Sequence, residues 1–546
     1  DQYHSPHPTD PLPSGPMRSA LTVVVALSLL LVVVLPAAGA SYPARDSGYH
    51  SYPEMVSHIR KVAAQHPGIV RIFSIGRSYQ GRRLWAAEIS DNVGVEEGEP
   101  EVLFDGLHHA REHLSAEMPI YILDLLADHY GKDSALGTRV TRLVDTRRTW
   151  IVFMVNPDGL QYDLTGSPYR SWRKNRQPTP GTNKLGTDLN RNYGYKFGCC
   201  GGSSGRPGAF DYRGPKPWSA PEVRAMRDFV NSRVVGGEQR IRTHITFHTA
   251  GELVLWPYAH TVKDLPPDMT AVDLAASRAM GKAMARSNGY RAMQSSSLYE
   301  SDGDMIDWMY ARHRIFSFTF ELYPKGGGSP RHWYPADEVI ARETRRNREA
   351  VLYLMARAAC PYGAIGPKAA KGYCGPLYDD FEIARGWTVN ARGTDTAGDG
   401  RWQRGDPGKD AFQLGSAASG RSVLVTGRQP GRDVDGGSTT IRSPYFAVPA
   451  NGRARLKLRY WVGLSANAGA DDGLAIRLVD TEGRRVKVLH KVSGNGRKQR
   501  PAWRSLDKAF PRALAGSRVA IEIEAVDAGP NAMVEAGIDQ VRVTSR

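Results

Sequence analysis

Three apolar runs of this sequence end in side chains that can bind a metal ion. His109 and Glu112 follow the run 102–104, whereas His248 and Glu321 each close an apolar run of their own. Ligands of an open α/β sheet bind beyond the carboxyl ends of its strands, so we expect these four side chains to meet at one edge of a sheet. Two imidazoles and one carboxylate there form a catalytic zinc site with a position open for water. The second carboxylate can serve as the general base that this water needs.

The segment His109-Ala110-Arg111-Glu112-His113 also fits a second kind of zinc site. In the His-x-x-Glu-His signature, both histidines bind the metal and the glutamate is the base. That signature requires a helix, in which positions i and i+4 share a face. Here it follows a strand and Gly106, and we expect the helix to begin near Leu114. Taken alone, the segment leaves both assignments open, the second with His113 as a ligand and Glu112 as the base.

Further chemistry-bearing blocks follow in a defined order along the chain. They are Asn156-Pro157-Asp158-Gly159 with Trp172-Arg173-Lys174, Asp188-Leu189-Asn190-Arg191-Asn192, His248, Tyr299 with Gly303 and Asp307-Trp308, and Phe318-Thr319-Phe320-Glu321-Leu322. In this order and at these separations, the chain resembles the zinc carboxypeptidases of the pancreatic carboxypeptidase A/B family over roughly residues 49–359. Within that family it is similar to the secreted bacterial branch of the carboxypeptidase T kind. The downstream blocks favour the first zinc site over the inverted signature.

The resemblance implies a role for each matching residue. The implied zinc ligands are His109, Glu112 and His248, with Glu321 as general base and Arg173 as the group that stabilises the oxyanion. The groups implied to clasp the terminal carboxylate of the substrate are Asn190, Arg191 and Tyr299. Asp188 is implied to orient the first ligand histidine, a contact that fixes its tautomer and basicity, and Arg111 to line a subsidiary subsite. A bidentate guanidinium matches a carboxylate, so the expected activity is that of an exopeptidase acting on free C-termini.

The resemblance also bears on which C-terminal residues are removed. In the family, the residue just before the Asp of the Asp-Trp pair forms the floor of the side-chain pocket, and here that residue is Ile306. Ile306 favours apolar C-termini, but Asp304 is close enough in sequence to reach the same floor. We therefore expect both hydrophobic and basic C-terminal residues to be removed and acidic ones to be rejected. The alternative is that Asp304 faces solvent and only apolar ends are cut.

The beginning of the chain is typical of a secretory signal peptide. Met17-Arg18 precedes the apolar run 21–35 and the small-residue segment Ala38-Gly39-Ala40. We expect residues 17–40 to be a signal peptide cleaved after Ala40, and the mature protein to be extracellular. An uncleaved membrane anchor is the alternative, because the apolar run is almost long enough to span a bilayer.

The remaining sequence predicts two folded domains. Residues 41–360 alternate short strands with amphipathic helices, which is the pattern of an α/β fold with a mixed, mostly parallel sheet covered by helices. A Gly-, Ala- and Lys-rich linker is expected at 361–376. Short strands with regular turn signals then predict an all-β sandwich of jelly-roll type over 377–546.

Four cysteines in a secreted chain can form disulfides in three connectivities. Cys360 and Cys374 enclose a short loop and are candidates for a local bridge. Cys199 and Cys200 would form a vicinal bridge or pair elsewhere, and the sequence leaves that open.

Charge and acidic residues suggest further ligands. Asp379, Asp380, Glu382 and Asp539 are candidate oxygen ligands for Ca²⁺, with ordinary surface acids as the alternative. The formal net charge of +16 favours attraction to acidic wall polymers, but no nucleic-acid motif is present and no specific nucleic-acid partner is expected.

The expected function is that of a monomeric, secreted, zinc-dependent exopeptidase acting on peptides or proteins. One alternative is a carboxypeptidase or amidase of cell-wall peptides. Another is a protein that binds a cell wall or glycan through its C-terminal domain.

Overall fold

The computed structural model describes residues 40–326, 330–529 and 532–545. The predicted signal peptide, residues 17–40, lies outside this range except for Ala40. Within the described residues, no helix is both long and apolar enough to cross a membrane.

The first part of the described chain is built on one twisted sheet. The strands of this part are β1 (Val70–Arg77), β2 (Arg83–Ile89), β3 (Glu101–Gly106), β4 (Arg148–Val152), the separate short pair β5 (Val234–Val235) and β6 (Glu238–Gln239), β7 (Ile241–Thr249), β8 (Leu253–Trp256), β9 (Arg291–Gln294) and β10 (Phe316–Leu322). All but β5 and β6 join one eight-stranded sheet in the order β1-β2-β4-β3-β7-β10-β8-β9. The pairs β4–β3, β3–β7, β7–β10 and β8–β9 are parallel, and the others are antiparallel. The predicted mixed, mostly parallel sheet is confirmed.

Helices cover both faces of this sheet. They are α1 (Tyr52–Gln65), α2 (Leu114–His129), α3 (Ala135–Val144), α4 (Pro157–Asp163), α5 (Pro221–Ser232), α6 (Ala271–Asn288), α7 (Met305–His313), α8 (Ile340–Arg346), α9 (Arg348–Ala358) and α10 (Pro367–Tyr373). Side chains alternate across a strand, so Leu103 and Phe104 of β3 belong to different cores. Phe104 packs in the core that includes Ile122 of α2, and Leu103 in the core that includes Met226 of α5. This two-sided burial explains why β3 is apolar at consecutive positions.

Local signals in the sequence determine where several helices begin and end. Ser51 and Glu54 form a capping box at the start of α1, where each side chain accepts a bond from the other residue's backbone N–H. Pro221 stands at the start of α5. Gly289 ends α6 in the left-handed conformation, at φ 73°.

Residues 361–376, expected to be a linker, are ordered into a helical connection. A 3₁₀ turn (Pro361–Ile365) leads into α10, which Pro367 begins. Cys360 and Cys374 form the predicted disulfide across this segment, with their Cα atoms 5.6 Å apart. The Gly-, Ala- and Lys-rich composition predicts a linker, and the disulfide and the N-terminal proline stabilise a short helix within it.

The second part of the described chain is an antiparallel β-sandwich, as predicted. Its strands are β11 (Leu377–Asp379), β12 (Thr388–Val389), β13 (Trp402–Gly405), β14 (Val423–Thr426), β15 (Gly437–Arg442), β16 (Phe446–Ala447), β17 (Ala454–Leu464), β18 (Gly473–Asp480), β19 (Arg485–Ser493), β20 (Arg504–Ala509), β21 (Arg518–Asp527) and β22 (Val534–Ser545). One sheet has the order β13-β14-β22-β17-β20 with β11 beside β22, and the other β12-β15-β21-β18-β19 with β16 beside β21. A core including Leu456, Ile476 and Ile523 is buried between the two sheets.

The acids proposed as Ca²⁺ ligands do not form a cation site in the described residues. The carboxylate of Asp379 accepts bonds from Phe381 N and Trp387 Nε1. Glu382 accepts from the backbone N–H groups of 421 and 422, and Asp539 from those of 418, 419 and 540. Their oxygens are occupied in stabilising turns, so the calcium expectation is not supported.

Candidate active site

Three predicted metal ligands converge at the carboxyl edge of the large sheet. Nδ1 of His109 lies 3.1 Å from Nδ1 of His248, and these two atoms lie 2.7 Å and 2.9 Å from the two carboxylate oxygens of Glu112. All three residues are buried. Two imidazole nitrogens this close repel one another through their lone pairs unless a proton or a cation lies between them. The donor set of two nitrogens and one carboxylate suits Zn²⁺, so the residues present fit a zinc ion.

The fold places each ligand through a short, tightly packed connection. β3 ends at Gly106, where an added Cβ would lie 2.2 Å from the carbonyl oxygen of Ser115. Only glycine at this position therefore allows the start of α2 to pack against the end of β3. His109 and Glu112 lie in the turn between β3 and α2. His248 lies in β7, directly opposite Glu321 in the neighbouring parallel strand β10. The sheet register thus brings the fourth predicted side chain beside the ligands.

Asp188 links the metal ligands to the predicted oxyanion group. Its Oδ1 lies 3.1 Å from Nε2 of His109, and its Oδ2 accepts a bond of 2.9 Å from Nε of Arg173. Burial opposes ionisation of Asp188, but Arg173 and His109 hold its pKa well below its usual range. Nη1 of Arg173 lies 3.6 Å from the Glu112 carboxylate. The guanidinium is therefore fixed beside the zinc ligands, where a carbonyl oxygen would gain charge.

Glu321 has the proton affinity that a general base at neutral pH requires. Burial and the nearby Glu112 carboxylate raise the pKa of Glu321 to about 7. Burial and Arg173 lower the pKa of His109, which keeps that imidazole neutral and able to bind metal.

The groups predicted to clasp a terminal carboxylate lie on one side of the ligands. The Arg191 guanidinium lies 5.8 Å from the centre of the Tyr299 ring, and its Nη1 donates to the carbonyl of Asn190. The Asn190 side chain bonds to Asp304 at 3.2 Å and accepts from Met305 N. Nε of Arg191 is buried and has no hydrogen-bond partner in the described part of the chain. This donor and the exposed phenol of Tyr299 are available for a ligand.

A narrow cavity runs from the metal ligands to Asp304. It is lined by His109, Asn190, His248, Leu255, Ser295, Leu298, Tyr299, Ser301, Asp304, Thr319 and Glu321. The structure places the predicted Asp304 in this lining, whereas Ile306 is fully buried and lies outside it. The apolar part of the wall comes instead from Leu255 and Leu298. Burial and the neighbouring Asp307 raise the pKa of Asp304 to about 6.

Arg111, predicted to line a subsidiary subsite, lies on the other side of the ligands. Its guanidinium stacks on Trp333, with the carbon atom 4.2 Å from the ring centre. Except for Ile306, the predicted site residues thus lie around one centre.

The alternative with His113 as a ligand does not agree with the structure. His113 directly precedes α2 rather than lying inside it. Its Nε2 bonds to Asp163 at 3.0 Å, and its ring packs against Tyr42, Tyr169 and Tyr334. Glu112 lies between His109 and His248 as a ligand would, not as a base.

Some residues of the site were not identified from the sequence. The Asn156 amide donates to the carbonyls of His108 and Lys174, and so joins the turn carrying the ligands to the segment carrying Arg173. Asn156 stands in one of the ordered sequence blocks, but an asparagine after a strand is an ordinary turn signal. Leu255, Ser295 and Thr319 lie in separate elements, so their meeting at one cavity has no local signature.

A buried site of two histidines and one glutamate at the strand ends, with a second glutamate beside it, defines a zinc hydrolase. The family described as zinc carboxypeptidase, Peptidase_M14, matches residues 55–350. A zinc carboxypeptidase of Saccharothrix mutabilis subsp. capreolus is 46% identical over 334 residues, which are 60% of this chain and 73% of that relative. Carboxypeptidase A1 of Rattus norvegicus is 31% identical over 301 residues, which are 54% of this chain and 67% of that protein.

A solved structure shows the same fold. Carboxypeptidase A from Helicoverpa armigera superposes with a TM-score of 0.50 at 24% identity, covering 59% of this chain and 75% of its own. This chain belongs to the zinc carboxypeptidase family and is a metallocarboxypeptidase, as predicted.

Proposed function

We propose that this metallocarboxypeptidase is a secreted exopeptidase that removes apolar and basic residues from the C-termini of peptides. The observation that carries this proposal is the cavity between the metal ligands and Asp304. Glu321 and His248 border one end, and a buried carboxylate with two leucine side chains lines the rest. The C-terminal side chain would enter this cavity, which holds only about 20 Å³ in the free protein and must widen around it, while its carboxylate meets Arg191 and Tyr299.

Recognition of a free C-terminus rests on Arg191. Its side chain is buried, and a guanidinium fork pairs with a carboxylate through two parallel hydrogen bonds. A peptide bond in mid-chain has no such charge, so it would leave the buried cation without a partner, which is costly. This asymmetry restricts cleavage to the last residue.

The chemistry would be divided between the metal and two side chains, Glu321 and Arg173. When bound by His109, Glu112 and His248, Zn²⁺ supplies a Lewis acid that lowers the pKa of water to about 7. Glu321 takes a proton from the attacking water and later gives it to the leaving amine. Arg173 stabilises the negative charge that develops on the carbonyl oxygen, because Asp188 holds its guanidinium beside the ligands.

The test is to compare Glu321→Gln with an unrelated glutamate variant. We expect Glu321→Gln to retain one zinc per chain but to lose at least about 10³-fold in kcat on a peptide ending in Leu. Glu482→Gln, on the exposed surface of the sandwich, is the matched control and should match the unmodified enzyme. Full activity of Glu321→Gln, or activity that survives complete chelation, would refute the mechanism. His113→Ala should keep its zinc.

The protein is proposed to be secreted and to lose its signal peptide. Secretion is supported by the apolar run 21–35 before Ala38-Gly39-Ala40, and by the disulfides Cys199–Cys200 and Cys360–Cys374, which suit an oxidising compartment. N-terminal sequencing of protein from culture medium should begin at Ser41. Recovery of the activity only in the membrane fraction would favour an uncleaved anchor.

A second candidate role is attachment to an anionic cell-wall polymer. An open cleft of about 650 Å³ lies between α10 and the sandwich, and its cationic lining is Lys368, Lys371, Arg455, Lys457 and Arg542. No carboxylate lines it among the described residues. Co-sedimentation with purified wall polymer should fall for Lys368→Glu/Lys371→Glu, while peptide hydrolysis is unchanged. Equal sedimentation of both proteins would reject this role.

A further inference from the structure

A second cavity, of about 400 Å³, opens on the other side of Arg173. Its lining includes Arg111, Trp172, Arg173, Lys174, Arg176 and Lys184. Five of these side chains are cationic, and no carboxylate lines the cavity within the described chain. This cavity therefore has a strong positive potential directly beside the reacting centre.

The cavity lies where the substrate residues that precede the scissile bond would bind. The cavity that ends at Asp304 takes the C-terminal side chain, and it lies on the Tyr299 side of the ligands. Arg173 lies between, near Glu112 on one side and in the wall of the second cavity on the other. A peptide whose scissile carbonyl meets Arg173 must continue away from the Asp304 end, and the second cavity lies along that path.

Four of the five cations of this cavity are not paired within the described chain. Arg111, Lys174, Arg176 and Lys184 form no ion pair with a described carboxylate, although Arg173 pairs with Asp188. Lys174 is 6% exposed, and its Nζ donates to the carbonyl of Pro207. Burial lowers the pKa of Lys174, and an incoming anion would reverse that effect.

Aromatic rings hold one of these cations in place. The Arg176 guanidinium carbon lies 3.5 Å from the centre of the Tyr162 ring and 4.7 Å from that of Trp172. Its Nη1 is buried without a hydrogen-bond partner in the described part of the chain. Such stacking fixes the guanidinium before a ligand arrives, so little conformational entropy is lost on binding.

We propose that this cavity selects peptides with acidic side chains in the two or three positions before the scissile bond. Lys174, Arg176 and Lys184 would pair with those carboxylates, while Arg111 lies nearer the reacting centre. The inference rests on the proposed exopeptidase function and specifies its substrates as acidic peptides with an apolar or basic last residue.

The experiment compares matched peptides that differ at a single position. Peptides ending in the same Leu carry Glu, Gln or Lys at the second, third or fourth residue from the end. Glu and Gln have nearly the same shape, so the ratio of kcat/KM for Glu over Gln isolates charge. We expect a ratio of about fivefold to tenfold at one or more positions in low salt, a ratio below one for Lys over Gln, and both ratios closer to one in about 0.5 M salt.

Variants then assign the effect to the cavity. Lys184→Gln changes an exposed cation in its lining and should lower the Glu-to-Gln ratio about two- to threefold. Lys282→Gln, an exposed lysine on α6 outside the cavity, is the control and should leave the ratio unchanged. A Glu-to-Gln ratio near one at every position, or a raised ratio that Lys184→Gln does not lower, overturns the inference. Failure to release Leu from any peptide would instead refute the exopeptidase function itself.

Discussion

Replacing Asp304 by Asn should alter which C-terminal residues are removed. The Asp304 carboxylate is 5% exposed and lines the side-chain cavity together with Leu255 and Leu298. Asn has nearly the same shape, and its oxygen can still accept the bond from Ile306 N at the start of α7. Its NH2 group replaces the oxygen that accepts from Asn190, so the ratio of two substrates, rather than a single rate, reports the lost charge. The substitution therefore removes a charge while it largely preserves the volume of the cavity.

The size of the effect follows from the buried charge. A Lys or Arg side chain about 5 Å from Asp304 gains roughly 3 kcal/mol at an effective dielectric constant of about 20. Removing that cation from water offsets part of the gain, which leaves about 2 kcal/mol, or about 30-fold in kcat/KM. A Leu side chain makes no such pair, so its cleavage should be changed much less.

The assay is the ratio of kcat/KM for matched peptides ending in Arg and in Leu. We expect Asp304→Asn to lower this Arg-to-Leu ratio about 30-fold at pH 8. Because the pKa of Asp304 is raised to about 6, its carboxylate is formed as pH rises through that value. The ratio should therefore increase about tenfold from pH 5 to pH 8 in the unmodified enzyme and stay flat in Asp304→Asn. Failure to remove Arg at all, or the same ratio in both proteins, would exclude this role of Asp304.

Three further substitutions test the surrounding structure. Arg173→Lys keeps the charge but loses the planar fork, so kcat should fall about 10²–10³-fold with little change in KM. Steady-state kinetics measure both constants, and a change confined to KM would contradict the role of Arg173. Asp188→Asn should weaken zinc binding and activity about 10–100-fold. Competition with a chelator measures the zinc affinity, and an unchanged zinc affinity would contradict the role of Asp188 in orienting His109. Cys374→Ser opens a bridge between residues 14 apart and should destabilise the α10 region by about 3 kcal/mol. Hydrogen exchange would detect this as faster exchange in α10, and unaltered protection there would count against the bridge as a stabilising element.

Much of the fold and the centre of the site could be predicted because their signals are local. Apolar runs that end in His248 and Glu321 mark strand ends, and neighbouring parallel strands bring such ends together. Helices with a capping residue or an N-terminal proline, such as α1 and α5, have bounds that can be read from a few adjacent residues. These features depend on sequence separations of less than about ten residues.

The parts that could not be predicted depend on contacts between distant segments. The sequence places Ile306 in the pocket floor, but α7 is capped by Asp304 and begins at Met305, which directs Ile306 into the core. Leu255 reaches the cavity from β8, which pairs with β10 in an antiparallel register that no short motif encodes. The sequence reveals the negative charges of the acids at 379–382. It does not reveal their hydrogen-bond partners, which include backbone N–H groups.

The hydrogen bonds around Asn190 make the pocket and the metal centre one polar system. Asp304 accepts from the Asn190 side chain, the Asn190 backbone N–H donates to Asp188, and Asp188 lies against the His109 ring. A substitution of Asp304 that changes substrate preference therefore also affects Asp188, and through it the zinc ligand His109, three contacts away. Substrate specificity and turnover are therefore coupled in this enzyme. Because Asn190 connects the two, a mutant library of the pocket should include substitutions of Asn190.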